Sequence, residues 1–140
     1  MNEFDHKRDS ILPYQKIVRK PWGFEIIYTP DEAPAIGKII NVNAGQRLSL
    51  QYHDKKIETL CLIKGEATLT ISDHDSKINE IGMELNKGYF MSPGQIHRVS
   101  AKTDITFIEA STPEIGNTYR LEDDTQRPTE TEAMREKDRG

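Results

Sequence analysis

The sequence is poor in cysteine and aromatic residues, and it contains no long hydrophobic run. Its single cysteine, Cys61, cannot form a disulfide within the chain, which agrees with a reducing compartment. The longest apolar runs, such as residues 60–63, reach only four residues, whereas a membrane-spanning helix requires about 20. The first residues lack the apolar core of a secretion signal. We therefore expect a cytoplasmic protein with no membrane contact.

The chain also has fewer basic than acidic residues. Lys and Arg number 19 against 23 Asp and Glu, which gives a formal net charge of −4 at pH 7. Proteins that bind nucleic acid usually carry the opposite excess, so we expect no nucleic-acid partner. The 140 residues, of which 35% are hydrophobic, suffice for one core and are too few for two comfortable ones. Composition excludes these classes of protein without indicating an activity.

Short β-type segments follow one another through the middle of the chain. They are rich in Ile, Val, Thr, Phe and Tyr, and turn residues such as Lys64-Gly65 and Pro93-Gly94 separate them. Many short strands without long amphipathic helices between them are typical of an antiparallel sandwich or barrel. We predict an all-β, single-domain barrel of jelly-roll type with short polar ends. The predicted strands cover residues 24–28, 38–42, 48–53, 59–63, 66–71, 90–91, 97–100 and 105–110.

The composition of the sequence changes twice along the chain, which predicts three regions. Residues 1–19 form a polar N-terminal extension, residues 20–128 the barrel domain, and residues 129–140 a charged C-terminal tail. Helical spacing in the tail is compatible with a short solvated helix over residues 129–138, but its composition favours disorder.

One predicted strand, residues 47–53, carries an unusually polar face. Alternate residues of a strand point to the same side, and two donors at positions i and i+2 can both reach one metal ion. The polar face consists of Arg47, Ser49, Gln51 and His53. Glu58 and His97 open two later strands and add a carboxylate and a second imidazole. Nitrogen and oxygen donors without thiolates favour a divalent Zn, Mn, Fe, Ni or Co ion with positions left for water or substrate.

Several charged residues are candidates for contacts with a substrate. Glu109 interrupts an apolar strand, and a carboxylate there either faces the cavity as an acid–base group or pairs with an arginine. Phosphate suits the forked donors of arginine. The cationic candidates are Lys38, Arg47, Arg98, Arg120 and Arg127, with Arg98 favoured as a surface charge.

Two strings in the sequence resemble the signature motifs of the cupin superfamily, which consists of metal-binding jelly-roll barrels. The first reads Gly45, five residues, Gln51, one residue, His53, four residues, Glu58, six residues and Gly65; the second is Pro93-Gly94-Gln95-Ile96-His97. Gln51 in place of a leading histidine is similar to the cupin domain of bacterial type II mannose-6-phosphate isomerases. Those domains are often fused to mannose-1-phosphate guanylyltransferases. Further matches are Lys20-Pro21-Trp22-Gly23, Lys38, residues 48–53, residues 120–124 and Arg127.

This resemblance, which covers residues 20–128, implies a metal-dependent isomerase of a sugar phosphate or activated sugar. It implies a divalent metal held by Gln51, His53, Glu58 and His97. The metal would polarise the substrate carbonyl and stabilise an enediolate while a base, either Glu109 or a metal-bound hydroxide, moves a proton. Lys38 is assigned to catalysis and to holding the phosphate with Arg47; Ser49 and Arg120 are assigned to substrate binding. A homodimer is expected, with residues 11–28 paired across a two-fold axis.

The chain departs from that family near both motifs. Asp54-Lys55-Lys56 stands where the family has further histidines, and Thr59-Leu60 where it commonly has His-Trp. The closing motif reads Asp-Asp-Thr-Gln-Arg rather than Asp-Asp-Tyr-Gly-Arg. Three alternatives therefore stay open: an Fe(II)-dependent oxygenase or lyase acting on a small acid, a non-catalytic sugar-binding cupin, and a barrel that serves only for dimerisation.

Overall fold

The computed structural model describes residues 3–139, and side chains up to residue 135, as a chain built almost entirely of strands. Eleven strands precede one C-terminal helix. The elements are β1 (Lys16–Lys20), β2 (Gly23–Ile27), β3 (Ile36–Val42), β4 (Leu50–His53), β5 (Glu58–Lys64), β6 (Ala67–Ser72), β7 (Ile78–Gly82), β8 (Gly88–Met91), β9 (His97–Ala101), β10 (Ile105–Ser111), β11 (Thr118–Glu122) and α1 (Glu132–Arg139).

The strands form two antiparallel sheets. The six-stranded sheet has the order β1-β2-β3-β10-β5-β8, and the five-stranded sheet has the order β11-β4-β9-β6-β7. Most neighbours within a sheet are distant in sequence, so each sheet is assembled by chain crossings between the two layers. The prediction of an all-β jelly-roll domain is confirmed.

The hydrophobic core lies between the inner faces of the two sheets. Leu62 and Phe107 from the six-stranded sheet and Leu69 from the five-stranded sheet are completely buried. Alternation along β5 and β10 puts apolar and acidic side chains on the same inner face: Leu60 and Leu62 follow Glu58, and Phe107 precedes Glu109. The core therefore fills one end of the sandwich and leaves a polar cavity at the other.

All eight predicted strands are present, and three further strands were missed. The missed strands are β1, β7 and β11, and each of them lies at the edge of its sheet. An edge strand buries few side chains, so its sequence need not show the apolar alternation by which strands are recognised. Thus β1 reads Lys-Ile-Val-Arg-Lys and β7 reads Ile-Asn-Glu-Ile-Gly.

The C-terminal tail is helical rather than disordered, which corrects the interpretation favoured by its composition. Helix α1 is tied to the loop before β11, because Arg135 is buried and donates to the carbonyl of Gly116, while the Glu132 carboxylate accepts from the Gly116 amide. These partners lie 16 to 19 residues away in sequence, beyond the reach of a local pattern. At the other end, β1 pairs with β2 across the predicted start of the barrel domain. Within the described residues no helix is long and apolar enough to cross a membrane.

We expect Gly65→Ala to destabilise the protein by about 2–3 kcal/mol, because Gly65 adopts a left-handed conformation in the β5–β6 turn. An added Cβ would also collide with the backbone oxygen of Asp104. Urea unfolding measures the effect. Gly82→Ala is the matched control, since its Cβ would enter open space. Equal stabilities for the two variants would contradict this account of the turn.

Candidate metal centre

A cavity of about 340 Å³ opens between the two sheets at the polar end of the sandwich. Its walls carry two imidazoles and several carboxylates, lysines and arginines, with apolar side chains such as Leu48, Leu60 and Phe107 between them. The volume and the mixture of apolar wall with convergent polar groups are those of a small-molecule site.

His53, Glu58 and His97 meet on one side of this cavity. They come from the end of β4, the start of β5 and the start of β9, and all three are buried. The Nε2 atoms of His97 and His53 lie 2.9 Å and 3.5 Å from the same carboxylate oxygen, Oε1 of Glu58. The ligand atoms of the three residues all lie within 4.8 Å of one another, so one ion can contact all of them.

The hydrogen bonds behind this triad prepare it for a cation. The Nδ1 atom of His97 lies 3.0 Å from the carbonyl oxygen of Gln95, which can only accept, so Nδ1 is the donor and Nε2 is the ring nitrogen that faces Glu58. The Nδ1 atom of His53 contacts Thr118 Oγ1 at 2.8 Å. Neither Nε2 atom makes a hydrogen bond with the described residues. Two imidazole nitrogens and a carboxylate oxygen that converge in this way form a donor set that fits a divalent transition metal.

Gln51 and Ser49 lie beside the triad, as their shared face predicts. Both line the cavity, and the Ser49 hydroxyl donates to Gln51 Oε1 at 2.8 Å. Gln51 pairs directly with His97 across β4 and β9. The assignment of Gln51 as a fourth metal ligand stays a prediction, as does that of Ser49 to substrate binding.

Lys56, which sequence reasoning did not select, connects the triad to the other buried acids. Its Nζ atom lies 3.1–3.2 Å from carboxylate oxygens of Glu58, Glu109 and Glu114. Lys38 lies among a similar set, 2.8 Å from Glu114, 3.6 Å from Glu25 and 3.8 Å from Glu109. The carboxylates around the two lysines neutralise their positive charge, so neither lysine is well suited to bind a phosphate.

The charges in this network act differently on its two central acids. Burial alone would raise the pKa of Glu58, but the Lys56 ammonium and the two imidazoles hold it well below its usual range. For Glu109, burial and the neighbouring Glu58 charge outweigh Lys56 and Lys38 and raise the pKa. The environment of Glu58 therefore favours its ionised form, which a metal ligand needs, whereas that of Glu109 favours the protonated form. Glu109 faces the cavity and pairs with lysines rather than with an arginine.

Glu114 joins both lysines from the loop between β10 and β11. Burial would raise the pKa of its carboxyl, but Lys56 and Lys38 hold it far below the ordinary value. Neither Glu114 nor Glu25 was selected from the sequence. Strand alternation could have indicated that Glu25 on β2 points inward. Glu114 and Lys56 lie in loops, where no periodicity indicates the direction of a side chain.

The expectation that Arg47 faces the cavity is wrong. Arg47 is exposed and forms a surface ion pair with Asp124 at 2.8 Å. The strand is irregular before β4, and the adjacent residues Leu48 and Ser49 both line the cavity. Two neighbours on one side break the alternation, so Arg47 falls on the outer face. The expectation for Arg98 is also wrong, because this residue is buried and its Nε donates to the Leu48 carbonyl.

Arg120 does line the cavity, opposite the lysine network. Its Nη1 donates to the Pro128 carbonyl at 2.7 Å, and Nη2 lies 3.6 Å from the Glu130 carboxylate. Its buried Nε has no hydrogen-bond partner among the described residues. Burial and the nearby charge of Arg127 lower the pKa of Arg120. Arg127 itself is paired with Asp123 at 2.8 Å. Arg120 is thus a cavity arginine with a buried donor that has no partner in the described part of the chain.

We expect His53→Ala and His97→Ala each to lose bound transition metal, because each removes one of three converging donors. Metal content after loading with Zn, Mn, Fe(II), Ni or Co checks this. His74→Ala is the matched control, since His74 lies in an exposed turn and its side chain is 90% exposed. Equal metal content in all three variants would contradict the proposed centre.

We expect Glu114→Gln to lower the free energy of unfolding at pH 7 by about 3 kcal/mol, because it leaves two buried lysines with too little compensation. A carboxyl with a depressed pKa stabilises the fold above its unfolded pKa, near 4.3, and loses that effect as the pH falls. The stability gap between wild type and variant should therefore narrow below about pH 4.3. Chemical unfolding at pH 7 and at lower pH tests this. Glu84→Gln, at an exposed surface pair, should change little at either pH.

Comparisons with known proteins agree with this architecture. A family model described as mannose-6-phosphate isomerase C-terminal matches residues 7–130. No curated protein matches the chain. Similar solved structures include oxalate decarboxylase from Bacillus subtilis at pH 4.6 (TM-score 0.68, 18% identity, 85% of this chain and 34% of that chain). The capsular polysaccharide assembling protein CapF from Staphylococcus aureus matches with a TM-score of 0.64 and 13% identity over 86% of this chain and 32% of that chain.

The chain spans about a third of the length of these solved structures, and at such low identity the likeness shows the fold alone. The family match covers most of the chain, including the triad and the cavity. The chain therefore belongs to the mannose-6-phosphate isomerase C-terminal family, and its domain is a cupin.

Proposed function

We propose that this protein is a metal-dependent isomerase that converts a phosphorylated aldose into the corresponding ketose, with mannose 6-phosphate as the first candidate. The observation that carries the proposal is the buried triad of His53, Glu58 and His97 at the wall of a cavity that Glu109 and Arg120 also line. The lone unpaired cysteine supports a cytoplasmic setting, and we propose a homodimer.

A divalent metal held by the triad, with Gln51 as a further ligand, would polarise a substrate carbonyl and stabilise the negative charge that develops on its oxygen. The chain's own residues would then perform the proton transfer. Glu109 is the candidate base, because its raised pKa brings a carboxyl closer to neutrality and thus to efficient proton exchange. Its position is fixed by Lys56 at 3.1 Å and by the Ser111 hydroxyl at 3.0 Å.

Lys38 contributes to this step by its charge rather than as a phosphate ligand. It lies 3.8 Å from Glu109 and opposes the rise in the pKa of that carboxyl. Its other partners, Glu114 and Glu25, keep the ammonium in place. We therefore replace the expected holding of a phosphate by Lys38 and Arg47 with a role in which Lys38 positions Glu109 and tunes its pKa.

Arg120 is the candidate ligand for the phosphate of the substrate. Its guanidinium faces the cavity with a buried Nε that is free of partners in the described structure, and its contact with Glu130 is long. A planar guanidinium can donate two hydrogen bonds to a phosphate at once. Ser49, which lines the same cavity, is available to a sugar hydroxyl.

A lyase that acts on a small carboxylic acid is the second candidate. Oxalate decarboxylases are among the similar structures, and one of them, from Lactobacillus farciminis, is a formate complex. A carboxylate would fit the unused donor of Arg120 as a phosphate does. A non-catalytic sugar-binding cupin would bind both metal and ligand and return the ligand unchanged.

We expect the metal-loaded protein to convert mannose 6-phosphate into fructose 6-phosphate, measured by a coupled assay or by NMR. Glu109→Gln should lower kcat by at least about 100-fold, because it removes the proton carrier. His74→Ala should retain full activity. In the absence of isomerisation, release of carbon dioxide from oxalate would favour the lyase, and oxygen uptake with Fe(II) would indicate an oxygenase. Either result would overturn the isomerase.

Arg120→Gln should raise KM for the sugar phosphate by about 10-fold or more, because it removes a charge-assisted contact with the phosphate. Arg47→Gln is the matched control, since Arg47 is an arginine outside the cavity. An unchanged KM in Arg120→Gln, or equal effects of the two substitutions, would contradict this assignment.

A further inference from the structure

The chain reverses direction directly after β11 and returns along the edge of the cavity. The reversal is a tight turn at residues 123–127, in which Gln126 adopts a left-handed conformation and its amide donates to the Asp123 carbonyl. The Asp123 carboxylate fixes the turn by accepting from both the amide and the guanidinium of Arg127. We call residues 123–139, which comprise this turn and the chain through α1, the C-terminal strap.

The backbone of the strap is only loosely fixed to the barrel. Glu130 forms an isolated antiparallel bridge with Thr118, in which each amide donates to the carbonyl of the other at 2.8 Å. Every residue from 123 to 134 is exposed or half-buried. A segment with little apolar burial and few backbone hydrogen bonds opens at a lower free energy than the sheets of a folded domain. The strap can therefore open while the barrel stays folded.

The strap meets the cavity with charged side chains. Arg127, Glu130 and Arg135 of the strap line the cavity together with Arg120 of β11. The Glu130 carboxylate lies between two of these arginines: Oε1 accepts from Arg135 Nε at 2.7 Å, and Oε2 lies 3.6 Å from Arg120 Nη2. Arg120 also donates to the carbonyl of Pro128 in the strap. The strap thus holds the same arginine that is assigned above to the phosphate.

The charges at this contact leave one positive charge in excess. Arg120, Arg127 and Arg135 carry three positive charges, whereas Asp123 and Glu130 supply two negative ones. Burial lowers the pKa of Arg120, and the repelling charge of Arg127 lowers it further. The buried Nε of Arg120 makes no hydrogen bond with the described residues. An anion beside that atom would supply the missing negative charge in a partly desolvated site, where charge-assisted hydrogen bonds are strong.

An anion in this position would bind the closed strap more tightly than an open one. With the strap closed it would meet arginines from both β11 and the strap, whereas with the strap open only the arginine of β11 would remain. A ligand shifts an equilibrium between two states by the difference in its affinity for them. An anionic ligand would therefore favour closure.

We propose that the C-terminal strap closes over the phosphate group of the ligand, which is held between Arg120 of β11 and the two strap arginines, Arg127 and Arg135. The inference rests on the proposed function in one respect, because it takes Arg120 as the ligand of the phosphate. Closure would shield the cavity from water while the ligand is bound, and release of the ligand would require the strap to open.

Hydrogen–deuterium exchange of the metal-loaded protein tests the proposal. The ligands are inorganic phosphate and mannose 6-phosphate, and mannose is the uncharged control. At about ten times Kd, which calorimetry measures, we expect both phosphates to slow amide exchange in residues 123–135 by about 10-fold. The reason is that these amides exchange when the strap opens and that the ligand binds the closed state. Mannose should leave the exchange unchanged.

Arg127→Gln and Arg135→Gln remove the cations of the strap and leave Arg120 in place. Each should weaken phosphate binding by about 10-fold and reduce the protection of the strap, because each removes a charge-assisted contact. Arg127 is not buried, so its variant distinguishes loss of the contact from damage to the fold. Arg19→Gln is the matched control and should behave as wild type, since Arg19 is exposed and lies over the ring of Phe24.

Three results would overturn the strap: no binding of either phosphate, binding that leaves exchange in residues 123–135 unchanged, and wild-type affinity and protection in both strap variants. Failure of the strap and failure of the reaction are separable. Protection of the strap without isomerisation would overturn only the reaction proposed above. Isomerisation without protection of the strap would overturn only the present inference.

Discussion

The arrangement of the cavity depends on the compensation of buried charge around Lys56. Carboxylates of Glu58, Glu109 and Glu114 all lie within 3.2 Å of its ammonium group. Unpaired charges of this kind cannot remain ionised in a protein interior, because desolvation costs several kcal/mol for each. Lys56 therefore keeps the pKa of Glu58 low at the candidate metal centre, and it opposes the rise in the pKa of Glu109 that burial and the Glu58 charge cause. The same ion pairs tie the loop of Glu114 to the barrel wall.

The jelly roll holds these charged side chains in fixed positions, and in return it buries fewer apolar side chains at that end of the sandwich. One end of the sandwich is filled by Leu62, Leu69 and Phe107, while the other end is left to polar side chains. Strands β5 and β10 serve both ends, since their inward residues change from apolar to acidic along each strand. The acids are thereby held on strands whose positions are set by the packing of the core, which gives the site a preorganised geometry.

Arg47 and Arg120 show the limits of strand alternation as a predictor of side-chain direction. Arg47 has the correct phase relative to Gln51 and His53, but the irregular backbone at residues 48–49 turns it outward to Asp124. Arg120 lies on an edge strand without a recognisable pattern, yet its guanidinium enters the cavity. Phase arguments hold only while the strand stays regular, and neither a bulge nor an edge position can be read from alternation alone.

The sequence by itself determined the all-β fold, the triad and the inward direction of Glu109, because period-two alternation and the spacing within each motif are local properties of the chain. Tertiary structure alone decided which charges meet: Lys56 and Glu114, from loops 58 residues apart, share one ion pair. It also decided that α1 contacts the loop before β11, since Arg135 reaches Gly116. Such contacts depend on the register and crossing of distant strands, and no local periodicity specifies either.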